Sequence, residues 1–245
     1  MQSVIFEDLG RIEYGVAWNY QEQLLQENVA VKSKARTEND NTPPELLPTT
    51  NYFLMCEHLP VYTLGKSGDM HHVLLSEAQL KQKGIAFYHT NRGGDITFHG
   101  PEQVVVYPIL DLEKFTTDIG VYLRNLEEVI IRTIAEYGLV GERSKGETGV
   151  WLDPQIKGRE RKICAIGVRC SRWITMHGFA LNVNTNLDYF NHIIPCGIAN
   201  KQVTSIKKEL GRDIDMEEVK SKIKYHFERV YNVELVPASI TRLAQ

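Results

Sequence analysis

The strongest periodic pattern in the chain lies over residues 118–137, where Tyr122, Leu123, Leu126, Val129, Ile130, Ile134 and Tyr137 recur every three or four positions and Gly138 follows. One apolar face ending in glycine predicts a helix packed on a sheet. The stripe Ala17, Tyr20, Leu24 and Leu25 predicts another over 14–31, and 215–231 a third, with Asp215 and Glu218 at capping-box spacing. Ser76 caps a short helix that Gly84 closes. Strand patterns fall at 2–7, 51–58, 61–64, 85–91, 140–144, 149–152, 161–168 and 233–236, and 173–176 with 178–183 reads as a hairpin. The run QVVVYPILDL over 103–112 is too apolar for a half-exposed strand, so it is expected at the sheet centre, with Pro108 at a bulge or a gap in the ladder. Residues 32–50 are polar, carry Pro43, Pro44 and Pro48, and read as a long surface loop. There is no internal repeat and no low-complexity tract.

Composition narrows the class. With 245 residues, 42% of them hydrophobic and 24% charged, the chain can bury a large core, and 1–245 is read as a single domain. A formal charge of -3 gives no global attraction to nucleic acid or to an anionic membrane, so an acidic partner must be met by a local basic patch. The four cysteines, Cys56, Cys164, Cys170 and Cys196, include no Cys-x-x-Cys pair, which argues against a zinc or dithiol site and for free thiols in a reducing compartment. Neither a leader-like N-terminus nor a run of ~18 apolar residues is present, so a cytoplasmic protein is expected.

Candidate chemistry centres on Cys196 in Asn191-His192-Ile193-Ile194-Pro195-Cys196-Gly197-Ile198. Pro195 and Gly197 impose a shaped turn, whereas the plainer reading is a small buried hydrophobe. A thiolate nucleophile needs its pKa lowered from about 8.5, and burial acts against that, so a cation must compensate. Lys162 is one candidate, and His99, His177 and His192 are the others. A Lys/Cys pair without a metal suits attack on an activated carbonyl such as a thioester, through an acyl-enzyme. Arg92-Gly93-Gly94 can turn backbone amides toward a bound group, and small residues at Ala165, Gly167, Gly178 and Ala180 leave a slot for a linear chain. Taken alone, Lys162 is equally a solvated charge and His99 a hydrogen-bonded structural histidine. No phosphate-cradling motif is present, so nucleotide binding has no positive support.

Arg92-Gly93-Gly94 through Thr97-Phe98-His99-Gly100-Pro101 and Gln103, Lys162-Ile163 with Ala165-Ile166-Gly167, His177-Gly178-Phe179-Ala180-Leu181-Asn182, and Ile194-Pro195-Cys196-Gly197 together resemble the lipoyl(octanoyl) transferases. The resemblance implies an α+β fold, a mixed and mostly antiparallel sheet with flanking helices, as in the biotin/lipoate protein ligase catalytic domain. It implies transfer of an octanoyl group from octanoyl-acyl carrier protein to a lysine of lipoyl domains of 2-oxoacid dehydrogenases or of the glycine cleavage H protein, without a cofactor or metal. Cys196 becomes the acyl-thioester nucleophile and Lys162 the residue that lowers its pKa. The acyl-site walls become Arg92, Gly93, Gly94, Asp95, Ile96, Thr97, Phe98 and His99, then Ala165, Ile166 and Gly167, then Gly178, Phe179 and Ala180.

Three positions depart from the family pattern: Asp95, Glu102 where glycine is commoner, and Cys164, which strand alternation would place on the same face as Lys162. Two basic clusters, Lys157, Arg159, Arg161 and Lys162, and Arg169 with Arg172, are candidate docking patches for acidic carriers. The competing readings are an ATP-dependent lipoate or biotin ligase, which would not need Cys196, a Cys/His peptidase or amidase, and a non-enzymatic carrier-binding module.

Overall fold

In chain order the elements are β1 (Gln2–Ile12), α1 (Tyr14–Thr37), β2 (Tyr52–His58), β3 (Val61–Leu64), α2 (Glu77–Gln82), β4 (Ala86–His89), β5 (Ile96–His99), β6 (Gln103–Ile109), α3 (Ile119–Ala135), β7 (Val150–Leu152), β8 (Arg161–Ser171), β9 (Ile174–Asn182), β10 (Gln202–Val203), α4 (Ile206–Leu210), α5 (Met216–Tyr231) and β11 (Val233–Pro237). The structure is a computed structural model that describes residues 1–38, 41–194 and 202–238. The large sheet runs β10-β8-β9-β6-β2-β1-β11, with β7 also on β8, and a small sheet runs β4-β3-β5. The β2/β6, β6/β9, β8/β9, β7/β8 and β3/β5 pairings are antiparallel; β1/β2, β1/β11, β8/β10 and β3/β4 are parallel. The expected mixed α+β architecture is therefore the observed one.

Every residue of β6 is buried because both sheet faces are covered. On one face α3 and α5 pack Leu126, Ile130 and Phe227 against Phe53, Val104 and Val106. On the other, α1 sets Ala17, Tyr20, Leu24 and Leu25 over Leu54, Cys56, Val105 and Tyr107. A third cluster lies under the small sheet, where Phe98 stacks on Tyr189 with ring centroids 4.4 Å apart.

Several elements differ from the sequence reading. The first helix runs to Thr37 rather than 31, because its last turns are polar helix formers that leave no apolar stripe. They are held from outside the helix: Lys32 Nζ meets Asp111 and donates to Glu113 Oε2 at 2.7 Å. The strand at 85–91 contracts to Ala86–His89, since Thr90 N–H turns back to Leu64 O. Residues 140–144 form only a bridge at Glu142–Trp151, because Gly141 presses against Ile134 and Arg143 turns toward Glu127 and Glu128. The hairpin read within 173–183 is one continuous strand; the turn lies earlier, at Arg172 and Trp173 with φ of 50° and 65°, and pairs β9 with β8. The break seen in that pattern is His177, at φ 57°. The gap expected at Pro108 is present: the β6/β9 ladder ends at Val106–Phe179, and Thr175 Oγ1 then accepts from Leu110 N–H and donates to Pro108 O. Asp215 caps α5 through the Glu217 and Glu218 amides, but Glu218 pairs with Lys222 instead of closing a capping box.

Phe227 joins the two helices to the sheet, with its ring 4.3 Å from that of Phe53. Phe227→Ala is expected to remove about 3–5 kcal/mol of stability. Chemical denaturation will read this as a lower midpoint with an unchanged slope; a loss under 1 kcal/mol contradicts the packing described.

Candidate functional site

Beyond Cys164, one edge of β8 pairs with β9 and the opposite edge receives the turn that follows β4: Gly93 N–H donates to Val168 O at 2.9 Å. A cavity of about 660 Å³ wraps this edge and is lined from both faces of the sheet. Tyr14, His99, Val105 and Tyr107 line it on the α1 side, and Ile119, Leu123, Ile166 and Phe179 on the α3 side. In its floor Ala165 faces Ala180, and Gly167 faces Gly178, across the β8/β9 ladder. A Cβ on Gly167 would stand 2.9 Å from Gly93 O, and one on Gly178 would stand 2.2 Å from Val106 O. Both positions therefore require glycine for close backbone approach.

Lys162 enters the cavity from the start of β8, flanked by Trp151 of β7 and Val203 of β10. Its Nζ stands over the Trp151 ring, 4.6 Å from the centroid, a geometry that favours an ammonium. Arg161, next to it, donates from Nε and Nη2 to Glu209 at 2.7 and 2.8 Å, which locks the strand to α4. Above it the turn at Gly149 is held by Glu127, whose Oε1 accepts the Gly149 N–H at 3.0 Å. Burial pushes that carboxyl up, against the pull of Gly149, Arg124 and Arg143. Arg92 is buried and fixed, its Nη2 donating to Thr63 O at 2.6 Å and to Thr63 Oγ1 at 3.0 Å.

Three histidines stand around α1 as neutral imidazoles. His58 Nδ1 faces the Ile12 carbonyl at 2.9 Å and must be the donor there, so its Nε2 accepts from the Tyr107 hydroxyl at 2.6 Å. His99 lies parallel to Tyr14, with centroids 6.0 Å apart, and its Nδ1 meets Gln103 Oε1 at 2.9 Å. His177 Nε2 meets Asn91 Oδ1 at 2.7 Å, and its Nδ1 is buried with no hydrogen-bond partner among the described residues. Desolvation is the main cause in all three, pushing His58 down to about 4 and His99 and His177 to about 3; nearby His58 adds to it at His99, and Arg92 at His177.

Of the residues singled out from the sequence, Arg92, Gly93, Gly94, Asp95, Ile96, Thr97, His99, Lys162, Ala165, Ile166, Gly167, Gly178, Phe179 and Ala180 all line this one cavity. Phe98 does not; it points beneath the small sheet. Pro195, Cys196 and Gly197 lie outside the described residues. The sequence reading passed over Tyr14, Tyr107, Ile119, Leu123 and Trp151, which line the cavity as well. They sit in stretches read only as helix stripe or buried strand, and no local signal separates a lining residue from a core one there.

Known proteins match most of the chain. Residues 13–228 match the lipoyl protein ligase A/B catalytic domain family. An octanoyltransferase of Flavobacterium johnsoniae is 57% identical over 236 residues, covering 96% of this chain and 99% of its own. One from Cytophaga hutchinsonii is 49% identical, covering 96% of this chain and 95% of its own. The chain belongs to the lipoyl protein ligase A/B catalytic family, among its octanoyltransferases. The fold is shared with a bi-partite lipoate protein ligase of Thermoplasma acidophilum at a TM-score of 0.71 and 14% identity, over 99% of this chain and 89% of that one. A lipoate-protein ligase A bound with ATP superposes at 0.69 with 13% identity, over 99% of this chain and 91% of that one.

The three departures of the chain from its family pattern now have structural accounts. Glu102 adopts φ 60°, the left-handed region that favours glycine, and its N–H is held by Glu57 Oε2 at 2.6 Å. Asp95 turns into its own loop, with Oδ1 accepting the N–H of its neighbour Ile96 at 2.7 Å and Oδ2 lying 2.6 Å from His72 Nδ1. Cys164 does not share a face with Lys162: the β7/β8 register shifts between Val150 and Trp151, so Ile163 is an extra residue in β8 and alternation is lost. Its thiol lies in the helix-covered core, where desolvation raises its pKa strongly.

The depressed histidines set a pH dependence. Unfolded histidine binds its proton near pH 6.5, while these three stay neutral until pH 3–4, so the stability they contribute is complete above 6.5 and is lost as pH falls toward 4. The loss is about 1.4 kcal/mol per histidine per pH unit. Urea midpoints between pH 7.5 and 5 should fall steeply, and three of the eight imidazole NMR signals should not move over that range; all eight moving would contradict the burial.

Proposed function

We propose that the protein moves an octanoyl group from octanoyl-acyl carrier protein to a lysine of a lipoyl carrier domain, through a thioester on Cys196. The observation that carries this reading is the convergence of Lys162, the arginine–glycine turn and the small-residue floor of β8 and β9 on one cavity. The chain returns from the segment bearing Cys196 at Gln202 and Val203, which line the same cavity, and Val203 is paired with Lys162. That supports Cys196 as the nucleophile and Lys162 as the cation beside it.

In this reading the thiolate attacks the thioester carbonyl, the carrier leaves as a thiolate that takes up the proton held by Lys162, and the acyl chain rests on the small-residue floor of Ala165, Gly167, Gly178 and Ala180. Burying it contributes on the order of 5 kcal/mol. The lysine amine of the acceptor then displaces Cys196. The acceptors we propose are lipoyl domains of 2-oxoacid dehydrogenases and the glycine cleavage H protein, and the compartment is the cytoplasm. Among the described residues no helix is long and apolar enough to cross a membrane.

The docking patch needs revision. Arg161 is tied to Glu209 and Asp153, Arg169 to Glu22, and Arg172 to Ser33. Lys157 is exposed, and Arg159, although 3.3 Å from Asp153, keeps a side chain 66% exposed that an acidic carrier can reach.

Incubated with octanoyl-acyl carrier protein and no ATP, the protein should gain one octanoyl mass that hydroxylamine releases. Cys196→Ser should gain none in a hydroxylamine-labile form, and Lys162→Met should gain it at least ~100-fold more slowly. An adenylate formed from ATP and free octanoate, with no ATP-free adduct, contradicts the proposal.

A further inference from the structure

A single hydrogen-bonded chain joins Lys162 to His99. The Lys162 carbonyl accepts Thr204 N–H at 2.9 Å, and the Thr204 carbonyl accepts Asn182 Nδ2 at 3.0 Å. Asn182 Oδ1 accepts Gln103 Nε2 at 2.8 Å, and Gln103 Oε1 faces His99 Nδ1 at 2.9 Å. Gln103 Nε2 also donates to Phe98 O at 3.1 Å. Both amide orientations are thus dictated by backbone carbonyls, which can only accept, at Thr204 and Phe98. Gln103 has only its oxygen left for His99, so His99 must carry its proton on Nδ1. The lone pair on Nε2 is the remaining polar feature of a ring that lines the cavity.

An octanoyl thioester carries no N–H or O–H on its reacting carbon or on the atoms bonded to it. The one reactant that brings N–H groups to that carbon is the amine that takes the acyl chain. We infer that His99 is a substrate-contacting residue of the second half-reaction, with Nε2 accepting an N–H of the incoming lysine amine, and that Gln103 and Asn182 are the positioning residues that fix its tautomer. This rests on the acyl-enzyme reading above.

The balance is simple. The amine nitrogen forms the C–N bond, the C–S bond breaks, and the sulfur leaves with the bonding pair and takes up the proton the amine releases, directly or through Lys162. The hydrogen bonded to His99 is the one retained in the amide, so His99 ends as it began. Its depressed pKa, about 3, keeps the lone pair free at neutral pH. A cationic imidazole would instead repel an ammonium and offer the amine no acceptor.

The test separates the two half-reactions by single-turnover mass spectrometry: acyl-enzyme formation from octanoyl-acyl carrier protein, then transfer to a purified lipoyl domain. His99→Phe keeps a ring against Tyr14 but removes the acceptor, and should slow transfer at least about tenfold more than acylation. His99→Gln returns an acceptor oxygen at a similar reach and should recover most of that difference. If His99→Phe slows both half-reactions equally and His99→Gln does not help, His99 is structural and the inference is wrong; transfer at the wild-type rate in His99→Phe also overturns it. Absence of any acyl-enzyme in the wild type would instead remove the reading on which this rests, and the two failures are distinct.

Discussion

At four places around the cavity one backbone passes another with no side chain between them. A Cβ on Gly178 would lie 2.2 Å from Val106 O, one on Gly65 2.3 Å from Gly94 O, one on Gly149 2.6 Å from Cys164 O and one on Gly167 2.9 Å from Gly93 O. These contacts pull β6, β9, β8 and the arginine–glycine turn close enough to share one cavity. Because the walls are main chain, their positions follow from hydrogen-bonded ladders and turns rather than from rotamers. A linear acyl chain asks for such a surface: smooth, apolar and fixed before the substrate arrives.

Charge is confined with the same economy. Arg92 is spent on Thr63 and the turn itself and Arg161 on Glu209, while Lys162 Nζ stands over the Trp151 face. The histidines around α1 are held neutral, so they act as hydrogen-bonding groups and not as competing cations.

Much of this was legible in the sequence because local pattern and tertiary role coincide. The α3 stripe and the unbroken apolar run of β6 reported their burial directly, and the small residues of β8 and β9 reported the slot they floor. What was missed depends on single backbone angles or on distant partners. The extra residue at Ile163 undid an alternation argument about Cys164, and His177 at φ 57° looked like a turn because it interrupts a strand that then continues. The end of α1 is fixed by Asp111 and Glu113, about 80 positions away in the sequence, which periodicity has no means of sensing. The site motifs could be placed together by resemblance, but the direction of the hydrogen-bond chain from His99 to Lys162 exists only once four separate segments are folded.

The central claim is that the cavity at the edge of β8 is where the acyl group is held for Cys196. A crystal structure of the octanoylated protein tests it most directly. The account predicts a chain running from Cys196 Sγ along the β8/β9 floor of Ala165, Gly167, Gly178 and Ala180, with its thioester carbonyl near Lys162 Nζ. An acyl chain bound elsewhere, or attached to a residue other than Cys196, would contradict it.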